Sequence, residues 1–309
     1  KLTTDGSGNV LVAGDCDLGF ESLFGTSACI EKLASATGST LWQAAVDPTA
    51  GDSPERFDDI ALFSNGDVAA AGSCSNATCT FRIAGGTGAV LWQGLSTGVS
   101  NPAARVRVDA TGHVVSIARC LGANVNNMCF ERRDGSTGGL LWSTSYSAGT
   151  LDDSPSDLAV GSGGALFVAG YCSRDFLAHT STMCTLRIDG SSGAVAWVGN
   201  YNAPAGTEAV GVSLVLDAAG NPVTFGHCSS GESRVLCAVK YLAASPTVQW
   251  SFSAGASHFA SISEIGVFGR SGGFTYTAFG CGIFGASLCV MKTNETTGGT
   301  VWVSAFDGE

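Results

Sequence analysis

Residues 66–92 read GDVAAAGSCSNATCTFRIAGGTGAVLW and contain the spacings that decide the fold. A glycine precedes a first cysteine by eight residues, and a second cysteine precedes a tryptophan by 13 residues. Both spacings occur six times in the 309-residue chain, and successive tryptophans are 50, 50, 55, 53 and 52 residues apart. A period of this size indicates a repeat array. The tryptophans are Trp42, Trp92, Trp142, Trp197, Trp250 and Trp302, and the anchor glycines are Gly8, Gly66, Gly112, Gly164, Gly220 and Gly273.

Each repeat alternates short apolar segments with turn residues. Residues 67–72 are apolar at nearly every position, which is typical of a strand buried on both faces. The preceding Asn65-Gly66 pair is a tight-turn signal and indicates a hairpin, strands a and b. A second hairpin, strands c and d, continues from Arg82 through a glycine-rich turn to Trp92. Each repeat therefore predicts four antiparallel strands.

Six such repeats predict an all-β fold, a six-bladed β-propeller of four-stranded antiparallel blades with no exchanged closing strand. An array of immunoglobulin-like sandwiches fits the period less well, because those modules have about 100 residues. No polar linker divides the chain into two three-repeat domains, so we predict one domain over residues 1–309. The predicted blades are approximately residues 1–46, 56–97, 104–146, 156–201, 210–253 and 262–306.

Composition excludes several classes of protein. The chain has 15 basic and 26 acidic side chains, a net charge of -11, which argues against a nucleic-acid partner. Its 45% hydrophobic content argues against a disordered chain. The apolar stretch 271–291 is long enough to span a bilayer, but the repeat assigns it to two strands and a loop. We therefore predict no membrane span.

The 12 cysteines predict six disulfides and an oxidising compartment, extracellular or at the cell surface, with the periplasm as a further option. In each blade the first cysteine ends strand b and the second begins strand c, so we expect the two to lie opposite each other. A zinc site would need cysteines that converge on one centre, whereas separate blades hold them apart. The predicted pairs are Cys16 with Cys29, Cys74 with Cys79, Cys120 with Cys129, Cys172 with Cys184, Cys228 with Cys237, and Cys281 with Cys289.

Two motifs resemble known propeller repeats. Residues 32–42 and 132–142 resemble the Thr-Gly-x-x-x-Trp element of PQQ-like repeats, and residues 5–14 resemble the Asp-x-x-Gly-Asn-Val-x-Val-x-Gly element of SBBP, or delta-60, repeats. The resemblance implies a propeller and leaves the activity open, because such repeats form both enzyme scaffolds and interaction surfaces. Quinoprotein dehydrogenases have eight blades and an adjacent cysteine pair near the cofactor. No two cysteines are adjacent here, so we predict no cofactor.

Two further residue types recur with the repeat. The tryptophans are interpreted as framework residues of strand d rather than sugar-stacking platforms, because their distance from the turn glycine is fixed. A basic residue lies three positions after every second cysteine, and we expect these residues to pair with carboxylates or carbonyls of the neighbouring blade rather than to form an anion site. These basic residues are Lys32, Arg82, Arg132, Arg187, Lys240 and Lys292.

Candidate chemical groups are few. His227, Glu232 and His258 form the one metal or acid–base cluster that the sequence suggests, but none has metal-ligand spacing, so we predict no metal and no catalytic residues. The acidic segments are interpreted as solvated d–a loops, with calcium binding as the alternative. These segments are residues 52–55, 58–59, 152–153 and 157. Asn76 and Asn294 begin Asn-x-Thr acceptor sequences and are predicted glycosylation sites.

The functional prediction follows from a regular framework without a catalytic constellation. We expect a non-catalytic, secreted or cell-surface structural or interaction module rather than an enzyme. Its expected partners are proteins or copies of itself, as in a repeating unit of an extracellular assembly or filament, with glycans as further partners. The alternative is a carbohydrate-binding or glycan-processing propeller that uses the face formed by the b–c and d–a loops.

Overall fold

The computed structural model describes residues 1–16, 26–46, 55–74, 77–97, 104–122, 125–202, 208–230, 233–253, 265–281 and 287–307. These residues form six sheets of four strands each. Sheet 1 contains β1 (Leu2–Thr4), β2 (Val10–Cys16), β3 (Ser27–Leu33) and β4 (Thr40–Val46), and sheet 2 contains β5 (Glu55–Leu62), β6 (Val68–Cys74), β7 (Ala77–Ile83) and β8 (Val90–Thr97). Sheet 3 contains β9 (Arg105–Val108), β10 (Val114–Leu121), β11 (Asn126–Arg133) and β12 (Leu140–Tyr146).

The second half of the chain continues the pattern. Sheet 4 contains β13 (Asp152–Val160), β14 (Leu166–Asp175), β15 (Thr180–Ile188) and β16 (Val195–Tyr201), with a short 3-10 helix (Ser162–Gly164) in its first turn. Sheet 5 contains β17 (Ala209–Leu216), β18 (Pro222–Ser230), β19 (Ser233–Leu242) and β20 (Ser245–Ser253). Sheet 6 contains β21 (Ile265–Ser271), β22 (Phe274–Cys281), β23 (Ser287–Asn294) and β24 (Thr300–Asp307).

In every sheet the four strands lie in chain order and pair antiparallel, and no strand is exchanged between sheets. This arrangement confirms the all-β, six-bladed propeller fold class. The chain divides into two compact units, one formed by residues 1–146 with 191–193 and the other by residues 147–190 with 194–309. The single domain over residues 1–309 stays a prediction. Among the described residues, no helix is long and apolar enough to cross a membrane.

Apolar side chains of adjacent sheets form the core within each unit. In the first unit, Leu11 and Ile30 of sheet 1 pack with Phe57 and Phe81 of sheet 2, and the two phenylalanine rings meet edge to face at 5.5 Å. In the second unit, Phe167 of sheet 4 packs in one cluster with residues of sheet 5. Strands b and c of sheet 2 and strand b of sheet 4 are buried on both faces, which explains why their sequences are apolar without alternation.

Each of the six sheets contains one disulfide between strands b and c, with Cα–Cα distances of 5.7 to 5.9 Å. The expectation that the two cysteines lie directly opposite each other is wrong. In sheet 2, Cys74 is opposite Ala77 and Cys79 is opposite Gly72, so the bridge runs diagonally across the pair of strands. Strand twist brings one diagonal pair of a hairpin close enough for a bridge.

Disulfide accessibility differs between sheets. Cys16 and Cys129 are partly exposed, whereas both cysteines of the bridges in sheets 2, 4, 5 and 6 are buried. We expect the bridges of sheets 1 and 3 to be reduced several-fold faster in native protein, because thiol exchange requires access to sulfur. Limited dithiothreitol treatment, alkylation and peptide mass spectrometry would measure this. Cys228–Cys237 is the matched control for Cys120–Cys129, since both close nine residues, and equal labelling of the two would contradict the prediction.

A recurring contact, which we call the carbonyl clamp, joins adjacent sheets within each unit. Trp42 Nε1 and Lys32 Nζ of sheet 1 both donate to the backbone carbonyl of Gly85 in the c–d turn of sheet 2, at 3.0 and 2.8 Å. The other clamps join Trp92 and Arg82 to the Gly135 carbonyl, and Trp250 and Lys240 to the Glu295 carbonyl. Trp197 likewise donates to the Ala243 carbonyl at 3.2 Å. These contacts support the framework interpretation of the tryptophans.

The basic residues of strand c also bind carboxylates, but those of their own sheet rather than of the neighbouring one. Their ion pairs are Lys32–Asp5, Arg82–Asp67, Arg132–Asp109 and Lys240–Asp217, at 2.6 to 2.8 Å. Hydrogen bonds from Lys32 and from the a–b turn hold the pKa of the Asp5 carboxyl well below its usual range. In sheet 6, Arg270 and Glu295 form the ion pair, while Lys292 lies 4.0 Å from the centre of the Phe274 ring.

The interpretation of the acidic segments as solvated loops is wrong for the described residues. Asp58 and Asp59 lie in β5, and Asp152, Asp153 and Asp157 lie in β13, which begins before the predicted residue 156. Asp59 is fully buried. Its carboxylate accepts a hydrogen bond from the Val106 amide of sheet 3 and forms ion pairs with Lys1 and Arg107, at 3.2 and 2.6 Å.

The same repeat position in sheet 4 is Asp157, whose carboxylate accepts a hydrogen bond from the Leu214 amide of sheet 5 at 2.9 Å. An edge strand leaves every second amide without a partner inside its own sheet. These two aspartates satisfy such an amide on the first strand of the next sheet, so their role is to join sheets. Asp52 lies outside the described residues.

Candidate partner-binding site

The hairpin between strands b and c of sheet 4 is longer than its counterparts in the first unit. β14 and β15 have ten and nine residues, compared with seven each in β2, β3, β6 and β7. Residues 176–179 form its turn, which we call the hairpin tip. Asp175 stabilises this turn, because its carboxylate accepts the amides of Leu177 and Ala178 at 2.8 and 3.0 Å.

Two residues of this hairpin have strained backbones. Ser173 and His179 have φ angles of 54° and 52°, and they are the non-glycine residues with positive φ in the part of the chain that the structure describes. A bulge accompanies Ser173, since the pairing shifts between Cys172 and Asp175. Such conformations cost about 1–3 kcal/mol each and persist only where the surroundings fix them, often at functional sites.

The buried carboxylate of Asp153 fixes the base of the hairpin. It accepts the Ser173 amide and the Ala148 amide, each at 2.8 Å. Burial raises the pKa of Asp153, and the two hydrogen bonds partly offset this effect. Asp153 therefore supports a strained residue next to the site and is not the solvated side chain that the sequence suggested.

Two arginines flank the hairpin on the side of sheet 5. Arg174 donates to Glu208 at 2.9 Å, and its guanidinium lies over the rings of Tyr171 and Phe176, at 5.1 and 4.7 Å from their centres. Arg234 reaches the same carboxylate at 3.5 Å, and its side chain is 51% exposed. Glu208 thus binds two guanidinium groups, and that of Arg234 is the more exposed of the two.

His227 lies beside this group. Burial, with the nearby Arg234 charge as the next contribution, lowers its pKa to about 4, so the imidazole is neutral at physiological pH. Glu232 and His258, which the sequence suggested as its partners, lie outside the described residues. The described residues contain no group of three histidine, cysteine or carboxylate side chains that could hold a metal ion.

The hairpin tip is apolar and exposed. Leu177 is 95% exposed and Phe176 is 51% exposed. An apolar side chain at the end of a fixed hairpin, beside the exposed Arg234 guanidinium, can insert into a complementary pocket. The sequence analysis did not single out Phe176, Arg174 or Glu208. One feature of the sequence does point to this hairpin. Cys172 and Cys184 are 12 residues apart, one of the longer separations between the two cysteines of a repeat, and the apolar pair Phe176-Leu177 lies between them.

The predicted glycosylation sites are not part of this site. Asn294 ends β23, is partly exposed, and its side-chain oxygen accepts the amides of Thr296 and Thr297 at 2.9 and 3.1 Å. Asn76 lies outside the described residues. So do residues 47–54, 98–103, 203–207 and 254–264, the d–a connections on which a carbohydrate-binding face would depend. Glycosylation and carbohydrate binding at that face stay predictions.

Comparison with known proteins gives a fold and no family. No family model matches the chain. No curated protein matches its sequence either.

Solved structures of the same fold include BamB from Moraxella catarrhalis, with 13% identity and a TM-score of 0.52 over 100% of this chain and 88% of that one. A protein from Lactobacillus plantarum has 13% identity and a TM-score of 0.60, over 97% of this chain and 82% of that one. Quinohemoprotein alcohol dehydrogenase from Comamonas testosteroni has 10% identity and a TM-score of 0.53, over 90% of this chain and 57% of that one. Likeness at this level identifies the propeller fold alone.

Proposed function

We propose that this chain is a non-catalytic interaction module that acts outside the cytoplasm and binds a protein partner through the hairpin tip of sheet 4. The observation that carries the proposal is the exposure of Phe176 and Leu177 at the end of a hairpin whose base is fixed by Asp153. An apolar anchor that is already ordered loses little conformational entropy when it binds, which is typical of interface hot spots.

The charges beside the tip define the partner's surface. Arg174 and Arg234 share the single carboxylate of Glu208, although the whole chain has a net charge of -11. The Asp175 carboxylate in the turn balances the second cation, so the charge that a partner meets directly is the Arg234 guanidinium, whose side chain is 51% exposed. We therefore infer an apolar pocket for Leu177 with a carboxylate at the part of its rim that faces Arg234, because complementary charges favour both association rate and specificity.

The compartment in this proposal follows from the disulfides. Disulfides persist in extracellular and periplasmic proteins and are rare in the cytosol, and all 12 cysteines of this chain are paired. Assignment of the repeats to the PQQ-like and SBBP class belongs to the same proposal, supported by the quoted motifs and by propeller neighbours that include a quinohemoprotein dehydrogenase.

Site-specific photo-crosslinking in the native organism tests the proposal. A benzophenone amino acid at position 177 is expected to cross-link one protein reproducibly, and Phe176→Ser is expected to reduce the yield at least about fivefold, since hot-spot truncation costs more than about 1 kcal/mol. The matched control is a benzophenone at position 121, because Leu121 is a 63% exposed apolar residue at the end of strand b in sheet 3. Equal cross-linking patterns from positions 177 and 121 would refute the proposal.

Self-association is one form of the proposed interaction. If the partner is a second copy, as in a filament, sedimentation velocity is expected to show a concentration-dependent increase in mass for the parent. Leu177→Ser should abolish this increase, whereas Leu121→Ser should preserve it. A chain that stays monomeric at all concentrations would exclude the self-association form and leave the cross-linking experiment to identify a different partner protein.

A further inference from the structure

A cavity of about 340 Å³ lies in the first unit, among the turns of sheets 2 and 3. Residues 63–65 and 111–113 of the two a–b turns line it, together with residues 134–136 of the c–d turn in sheet 3. None of these residues belongs to the hairpin site of the second unit. A concave site with a few convergent polar groups is the usual form of a small-molecule site.

His113 supplies a hydrogen-bond donor to this cavity. It follows the anchor Gly112, a position that is Asn9 in sheet 1 and Asn221 in sheet 5, and those asparagines accept turn amides through their side-chain oxygens, at 3.1 and 2.9 Å. In sheet 3, His113 Nδ1 takes this role and accepts the Gly135 amide at 3.4 Å. A nitrogen that accepts a hydrogen bond carries no proton, so the proton of the His113 ring is on Nε2. That N–H is a donor that the turn does not use.

Asp134 supplies an acceptor. Its Oδ1 accepts the amides and hydroxyls of Ser136 and Thr137, and these hydrogen bonds, that of the Ser136 hydroxyl above all, hold the pKa of the carboxyl well below its usual range. Its Oδ2 lies 3.8 Å from His113 Nδ1. The cavity therefore places an ionised acceptor beside the His113 ring.

The remaining lining limits what can bind. Arg82 donates to Asp67 and to the Gly135 carbonyl, so its charge is balanced, and its guanidinium covers the Phe63 ring at 4.3 Å from the centre. An apolar ligand therefore finds no open aromatic face. An anion would be repelled by Asp134. A divalent cation would need more ligands, and the described residues provide no group of three.

We propose that this cavity binds a neutral hydroxylated ligand, the pyranose ring of a carbohydrate. One hydroxyl accepts from His113 Nε2, and the neighbouring hydroxyl donates to Asp134 Oδ2. Adjacent hydroxyls can accept and donate side by side, which matches an N–H donor next to a carboxylate. The site is independent of the proposed protein partner, because it lies among different sheets and uses different chemistry.

The chain itself supplies substitutions that should preserve the fold. His113→Asn reproduces the turn of sheets 1 and 5, because Asn9 and Asn221 occupy this position there. Asp134→Asn reproduces the turn of sheet 6, where Asn294 accepts the equivalent amides. The first variant removes the imidazole donor and the second removes the carboxylate charge. Asn294→Asp, which places a carboxylate at the equivalent turn position of sheet 6 outside the cavity, is the control.

Saturation-transfer difference NMR with the methyl pyranosides of glucose, mannose and galactose tests the proposal, with methyl glucuronide as the anionic probe. At least one neutral pyranoside is expected to bind the parent and Asn294→Asp equally. His113→Asn and Asp134→Asn should each weaken binding about tenfold, the effect of losing a hydrogen bond to a buried or charged partner. No binding by any pyranoside, unchanged binding by both variants, or tighter binding of the glucuronide would overturn the proposal.

Discussion

Replacing Gly72 with alanine is expected to reduce the free energy of unfolding by about 3 kcal/mol or more. Gly72 lies in strand b of sheet 2, opposite the bulge that Asp58 makes in strand a. A Cβ at this position would overlap the carbonyl oxygen of Arg56 and lie 2.8 Å from the Phe57 Cα. Both obstacles are backbone atoms, so no rotamer change relieves the overlap. Urea unfolding followed by tryptophan fluorescence, without reductant, measures the effect.

Gly14→Ala is the matched control for this prediction. Gly14 has the same repeat position, two residues before the first cysteine, but a Cβ added there would meet no atom of a non-adjacent residue within 4 Å. Its substitution is expected to change stability by less than about 0.5 kcal/mol, or to stabilise slightly through the unfolded chain. If both variants unfold at the same urea concentration, close backbone approach does not explain the glycine at this position.

Trp92→Ala is expected to cost about 3–5 kcal/mol, the usual range for removing a large buried aromatic side chain. Trp92 is 8% exposed and packs with Phe63, Ala104 and Val106, so it joins sheets 2 and 3. Its ring also covers the c–d turn of sheet 3 at Gly138, where a Cβ would lie 2.8 Å from the indole. Trp92→Phe separates the contribution of burial from that of the hydrogen bond. It keeps most of the buried apolar surface and loses the indole hydrogen bond to the Gly135 carbonyl, which contributes about 1 kcal/mol.

Trp302→Ala is the control for Trp92→Ala. Trp302 occupies the same repeat position in sheet 6 but is 41% exposed. We expect its removal to cost about 1 kcal/mol or less, because little apolar surface returns to water. Differential scanning calorimetry of the variants would rank the two positions. Equal losses of melting temperature would show that burial between sheets is not the reason for the repeated tryptophan.

The sequence predicted what repeats within one sheet. The anchor glycines mark turns with positive φ, and apolar strands b and c are visible as short uninterrupted segments, so the order of the four strands in each sheet followed. The sequence-based prediction that Asp59 and Asp153 lie in solvated loops failed, because a carboxylate on a buried strand cannot be distinguished from a loop residue when its partners are unknown. Those partners are an amide and two cations from other sheets for Asp59, and the amides of Ser173 and Ala148 for Asp153.

The candidate sites show the same limit. Arg174 and Glu208 meet across two sheets although 34 residues separate them, and no spacing rule in one repeat reports such a contact. The diagonal geometry of the disulfides was equally hidden, because it depends on strand twist. His113, by contrast, has a signal in the sequence. When the six a–b turns are aligned, it occupies the position where two other turns have asparagine.

The carbonyl clamp has an implication for how such a chain can grow. Its acceptor is always a main-chain oxygen, supplied by Gly85, Gly135, Ala243 or Glu295, so the joint does not depend on which side chain the turn carries. Tryptophan is the donor common to these four joints, and Lys32, Arg82 or Lys240 adds a second hydrogen bond in three of them. Duplication or shuffling of the gene segments that encode single repeats would therefore preserve this hydrogen bond, whereas side-chain pairs between sheets, such as Asp59 with Arg107, would have to be matched again in a hybrid protein.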